Sequence, residues 1–148
     1  MNRYQRGWLK DLRNPDSKQA RGAFKKVADE QGQEPELIGF CCLGLYADSF
    51  IVGTGEGNWE YSDGLSVREY NLEGCSSTSL PSEHRLLLGL TDTDTAVLAM
   101  LNDDYKFGFL DIADVLEHVF LDGSIDVATA AKEIFIGQGL EFHNHDKN

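Results

Sequence analysis

From Leu37 to Phe50 almost every side chain is apolar, including Ile38, Phe40, Cys41, Cys42, Leu43, Leu45, Tyr46 and Phe50. Such a run belongs at the centre of a core, and the other segments must be arranged around it. Periodicity does not separate a buried strand from a buried helix in a continuously apolar stretch, but its 14 residues favour a helix. In a chain of 148 residues with 41% apolar side chains, one such centre implies one domain over residues 1–148.

The flanking segments carry their own local signals. Tyr4, Trp8 and Leu12 recur every four residues on one helical face, which Asn14-Pro15 ends. Residues 17–30 fit a helix through Ala20, Ala23, Phe24 and Val27 with Ser17 as cap, although Gly22 weakens it. Gly53-Thr54-Gly55-Glu56-Gly57 reads as a loop, and Asn58–Tyr61 and Leu65–Leu72 alternate around the turn Ser62-Asp63-Gly64 as a β-hairpin. A short helix is expected after Pro81, capped by Ser82 and ended by Gly89. Another follows the capping run Thr91-Asp92-Thr93-Asp94 and closes at Asn102-Asp103-Asp104. The clearest helical stripe is Phe109, Ile112, Ala113, Leu116, Val119 and Phe120, ending at Asp122-Gly123. Asp126 can cap a last helix through Ala128, Ala131, Ile134 and Phe135, and residues 137–148 read as a flexible tail. The expected fold is α+β, a mainly helical single domain with one small β-hairpin.

Charge is the main functional clue. The net charge is −12, yet residues 1–31 hold eight Lys/Arg against four Asp/Glu, while residues 74–126 hold two against ten. An acidic surface repels nucleic acid and anionic membranes and attracts basic partners. No apolar run reaches the length of a membrane span, and the basic N-terminus leads into no signal-peptide core, so a cytoplasmic protein is expected. Cys41, Cys42 and Cys75 do not make a disulfide framework and read as reduced thiols, the adjacent pair as core residues.

No enzyme motif emerges. Gly53-x-Gly55-x-Gly57 has neither the dinucleotide nor the P-loop spacing, and Glu56 would repel phosphate. Asn102-Asp103-Asp104 lacks the remaining ligands of a calcium loop, and His143-Asn144-His145 in a terminal run lacks the surroundings of a nuclease. Neither catalytic residues, a metal site nor a cofactor is assigned. The collective candidate is the acidic array Asp92, Asp94, Asp103, Asp104, Asp111, Asp114, Glu117, Asp122 and Asp126, with Trp59 or Tyr61 as an aromatic anchor for a partner. An alternative places Arg3, Arg6, Lys10 and Arg13 around a small anionic ligand such as a nucleotide. A second alternative is a metal-dependent hydrolase using His84, His118 or the tail histidines.

Trp8-x-x-x-Leu12-Arg13, Gly39-Phe40-Cys41-Cys42-Leu43-Gly44-Leu45, Leu80-Pro81, Leu88-Gly89-Leu90, and Leu101-Asn102-Asp103 before Phe109-x-x-Ile112-Ala113-Asp114-x-Leu116-Glu117 occur in that order. Together they resemble a set of short uncharacterised phage and prophage proteins, over about residues 4–120; the stretch between Arg13 and Gly39 and the tail after Leu121 depart from the pattern. The resemblance implies a phage setting and no catalytic residue. Combined with the acidity, it leads to the expectation of a non-catalytic accessory protein that inhibits a host protein through its acidic face. That target would be a basic nucleic-acid-binding or defence protein, the acidic face acting as a DNA mimic, with no direct contact to nucleic acid or membrane.

Overall fold

The structure, a computed structural model, describes residues 1–28, 34–55, 59–63, 67–72 and 79–142. Helix α1, Arg3–Arg13, starts with a reciprocal cap between Asn2 and Gln5 and buries Trp8, Leu9 and Leu12. Beyond it the chain departs from the expected second helix. Gly22 has φ +87°, which breaks a helix, and Lys25–Ala28 form strand β1. Ala20, Ala23 and Phe24 are buried as anticipated, but from an irregular segment stitched to the chain ahead: Ala20 N donates to Phe40 O at 2.7 Å and Phe40 N to Lys18 O at 2.9 Å.

The apolar run is not one helix either. Glu36–Phe40 is strand β2, and helix α2 occupies Cys42–Thr54. The switch happens at Cys41, whose Sγ accepts from Gly44 N at 3.4 Å and caps the helix. Gly44 permits it, because a Cβ there would stand 1.8 Å from Phe24 O. Gly53 and Thr54 lie in α2 and are not part of the expected glycine loop, and the helix ends with Gly55 in the left-handed region; Glu56 and Gly57 lie outside the described residues.

The hairpin is present as β3, Trp59–Asp63, and β4, Val67–Leu72; its turn, including Gly64, lies outside the described residues. It belongs to a larger sheet, antiparallel throughout, in the order β2-β1-β4-β3. Phe40, Lys25, Tyr70 and Tyr61 stand opposite one another and share a face. On the other face Lys26 pairs with Glu69 at 3.4 Å.

Helix α3, Ser82–Leu88, has Ser82 as its first residue rather than its cap, because Pro81 holds the capping position; Gly89 ends it. Helix α4, Asp92–Asp103, starts with a reciprocal cap between Thr91 and Asp94. Helix α5, Phe109–Asp122, buries Phe109, Ile112, Ala113, Val115, Leu116 and Val119 and ends at left-handed Gly123. Helix α6, Val127–Ile134, is capped by Asp126, whose carboxylate accepts from Thr129 N at 2.8 Å. The helices pack α1 on α5, α5 on α6, and α2 on α1 and α4. Trp8 spans this core, donating from its indole to Cys42 O at 3.0 Å.

Residues 137–142 are held in the fold and are not part of the expected tail. A 3₁₀ turn at Ile136–Gln138 leads to buried Leu140. The Tyr105 hydroxyl then donates to Glu141 O at 2.6 Å and accepts from Glu141 N at 2.9 Å, while Phe142 packs edge-on against Tyr105. Residues 143–148 lie outside the described residues. The chain is thus a mainly helical α+β domain. No helix among the described residues is long and apolar enough to cross a membrane.

Candidate functional site

The acidic array does not lie on one exposed surface. Asp94 is only 5% exposed: one carboxylate oxygen accepts from Thr91 N at 3.0 Å and the other from Val127 N at 3.0 Å. It holds the starts of α4 and α6 together and cannot meet a partner. Asp103 is half-buried and accepts from Gly22 N and from the Asn102 amide, both at 2.8 Å. Asp92 and Asp104 are exposed, but at opposite ends of α4, about 18 Å apart along its axis. Asp126 is the cap of α6, and its hydrogen bonds from Thr129 hold it below the usual carboxylate range.

What remains together lies on α5. At about 100° per residue, Asp111, Asp114, Glu117, His118 and Asp122 fall on one outward stripe about 140° wide, opposite the buried stripe. Asp111, Asp114 and Asp122 are exposed and Glu117 is half-buried. Leu110 and Leu121 fall on the same stripe, 62% and 69% exposed. The sequence reading missed these two; their signal was an apolar residue lying off the core stripe.

The basic residues of α1 do not all converge on one groove. Their spacing puts Arg3, Arg6, Lys10 and Arg13 along one side of the helix. Arg13 instead reaches α5, bridging Asp114 and Glu117, each at 3.1 Å, and these carboxylates raise its pKa further. Arg6 donates to Met1 O, Lys10 is exposed, and the Arg3 guanidinium lies 4.8 Å from the Tyr4 ring centre. A groove of about 150 Å³ between α1 and α2 includes Arg3, Tyr4, Trp8, Asp11, Tyr46 and Phe50. Only Arg3 of the four cations lines it, and Asp11 opposes an anionic ligand there.

Trp59 is not an exposed anchor. It is half-buried on the shared face of the sheet, edge-on to Tyr70 at 6.3 Å and with the Lys25 ammonium 5.5 Å from its ring. Tyr61 is placed by its backbone, paired with Tyr70, and its side chain lies outside the description.

Among the described residues, Cys41, Cys42 and His84 are engaged in packing. Cys41 and Cys42 are buried, and burial pushes the Cys41 thiol up to about 12 and that of Cys42 well above its ordinary value. His84 Nδ1 lies 3.0 Å from the Tyr46 hydroxyl, and its ring stands edge-on to Phe50 at 4.3 Å. His118 lies 3.1 Å from Glu133. Among the described residues no three His, Cys, Asp or Glu side chains gather as a metal site; Cys75, His143 and His145 lie outside them.

The sequence blocks Phe40–Gly44 and Leu101–Asp103 meet at Asn102, which is 0% exposed. Its carbonyl accepts from Gln19 at 2.8 Å and from Cys42 N at 3.2 Å, while its amide donates to Ala20 O at 2.9 Å. Asn102 thus ties the end of α4 to the segment before β1 and to the first turn of α2. Of the three residues that suggested part of a calcium loop, Asn102 and Asp103 therefore supply a hub of the fold. Comparison of the chain with family models, with curated proteins and with solved structures finds no match.

Proposed function

We propose that this protein is a non-catalytic binding protein, an accessory protein of the kind phages direct at host proteins, acting in the host cytoplasm through the outward face of α5. The observation that carries the reading is one helical stripe with four carboxylates, Asp111, Asp114, Glu117 and Asp122, of which Arg13 bridges Asp114 and Glu117. Such a face steers a basic protein to it and repels nucleic acid and anionic membrane. A nucleic-acid-binding or defence protein presents the complementary charge, and occupying its basic groove would block the groove's use as a DNA mimic does.

The test is capture from host lysate at about 0.1 M and about 1 M NaCl, where screening lengths are about 10 Å and about 3 Å. Wild-type protein is compared with the triple variant Asp111→Asn/Asp114→Asn/Asp122→Asn. A partner retained by the wild type at low salt and lost at high salt and in the variant is expected. Equal retention under all four conditions would refute the acidic-face reading.

A further inference from the structure

We propose that the groove between α1 and α2 binds one arginine side chain of a partner protein, the guanidinium meeting Asp11 and the stem lying against aromatic rings. Tyr4, Gly7, Trp8 and Asp11 follow one another at i, i+3, i+4 and i+7, so they form one stripe of α1, and Tyr46, Ser49 and Phe50 of α2 line the groove with them. The stripe has a gap at Gly7. Glycine weakens a helix interior relative to alanine, yet a Cβ at Gly7 would meet nothing within 4 Å. Packing therefore does not require the glycine; what it does is keep the groove open. The aromatic walls are set before any ligand arrives. Trp8 donates to Cys42 O at 3.0 Å and stands edge-on to Tyr46 at 5.6 Å, the Tyr46 hydroxyl lies 3.0 Å from His84 Nδ1, and the Phe50 ring is edge-on to His84 at 4.3 Å. Rings held this way lose little freedom on binding.

Size and charge select the occupant. The groove has a volume of about 150 Å³, close to that of a cavity that takes one benzene ring, whereas drug-sized ligands occupy roughly 300–1,000 Å³. One side chain fits; a nucleotide does not, and its phosphates would meet Asp11. Asp11 Oδ2 accepts from Ser49 at 2.6 Å, and its Oδ1 has no hydrogen-bond partner among the described residues. Asp48, beside Ser49 on α2, is half-buried: burial raises its carboxyl above the ordinary value, Lys25 opposes this and Asp11 adds to it. The Lys25 ammonium is itself held near the rings of Trp59 and Tyr70, at 5.5 and 5.1 Å. The Asp11 end of the groove is thus short of positive charge. Arg3, at the other end, stands about 12 Å away along α1, with its guanidinium 4.8 Å from the Tyr4 ring centre. Of the cationic side chains, arginine has the planar, weakly hydrated head that both stacks on rings and donates to a carboxylate. A second copy of this chain would bring a further −12 charge, so the arginine belongs to a basic partner.

Amide chemical shifts of the isotope-labelled full chain, followed at about 0.1 M NaCl, give the test. The probes are N-acetyl-arginine amide, its neutral isostere N-acetyl-citrulline amide, and N-acetyl-lysine amide, and thermal unfolding checks that each variant is folded. In wild type, shifts centred on the Gly7 and Ser49 amides should saturate at least about three-fold more tightly with the arginine probe than with either other, the effect of one exposed cation–π contact. Gly7→Leu, which fills the groove while improving helix propensity, should lose the response to all three. Asp11→Asn, whose amide oxygen can still accept from Ser49, should bind arginine no better than citrulline. Asp16→Asn, an equal charge change at an exposed residue off the groove, should keep the preference. No response at those amides, no preference for arginine in wild type, binding retained by Gly7→Leu, a preference surviving Asp11→Asn, or its loss in Asp16→Asn would each overturn the proposal. None of these outcomes bears on the α5 face, which the lysate capture tests separately.

Discussion

Replacing Asn102 by alanine deletes the buried junction between α4, α2 and the segment before β1. The Cys42 amide and the Ala20 carbonyl would lose the Asn102 side chain as partner. Gln19 keeps its bond to Phe107 O at 2.8 Å and is only half-buried, so its loss counts for little. An orphaned buried polar group costs about 1–3 kcal/mol, so the two together should cost about 2–6 kcal/mol. Against a total of about 5–15 kcal/mol for a domain, that is a large fraction. Urea unfolding followed by the fluorescence of buried Trp8 gives the assay. With a slope near 2 kcal/mol per molar, the midpoint should fall by about 1–3 M. Asn102→Asp keeps an acceptor for Cys42 N but removes the donor to Ala20 O and places a charge beside Asp103, so it should also destabilise. A midpoint shift for Asn102→Ala no larger than that of exposed Asn14→Ala would refute the account of Asn102 as a hub.

Substitutions at Gly44 and at Asp126, with Gly7 as a control, probe backbone contact and charge. Gly44→Ala should lower stability by about 3 kcal/mol or more, since its Cβ would meet a backbone oxygen at 1.8 Å, whereas Gly7→Ala, with nothing within 4 Å, should raise it by about 0.5–1 kcal/mol; similar midpoints for the two would contradict the close approach at Gly44. Asp126→Ala should cost about 1 kcal/mol through the lost cap of α6, while Asp126→Asn keeps it. The Asp126 pKa is depressed in the fold, so its ionic contribution is complete above its unfolded value, near pH 4, and is lost as pH falls through the folded value. Wild type should therefore lose stability relative to the Asp126→Asn variant below about pH 4, and parallel pH profiles would contradict this.

The helices that the sequence made legible are those whose ends carry their own chemistry. Thr91, Asp126, Gly89 and Gly123 bound α3 to α6 within about one residue of the expected limits, because a cap bonds within its own first or last turn. The misreadings share the opposite cause. Of the expected helical stripe Ala20, Ala23, Phe24 and Val27, only Val27 lies in β1, which is extended by its pairing with β2 and β4, while the other three bury from the irregular segment before it. The change from β2 to α2 within one apolar run depends on Gly44 touching Phe24, some twenty residues earlier in sequence. Trp59 and Tyr61 were correctly placed on one side of a strand, yet which side faces the core is not a local property.

For the surface, the amino-acid sequence by itself determined the sign of the charge, its concentration in the second half, and the amphipathic α5 that displays part of it. Only the tertiary structure decided which carboxylates are free. Asp94 and Asp103 sit where remote backbone amides need acceptors, and Arg13 joins Asp114 and Glu117 because α1 lies along α5. Leu110 and Leu121 stay exposed for a related reason: the helix has one packed side, so apolar residues on its other side stay exposed to solvent.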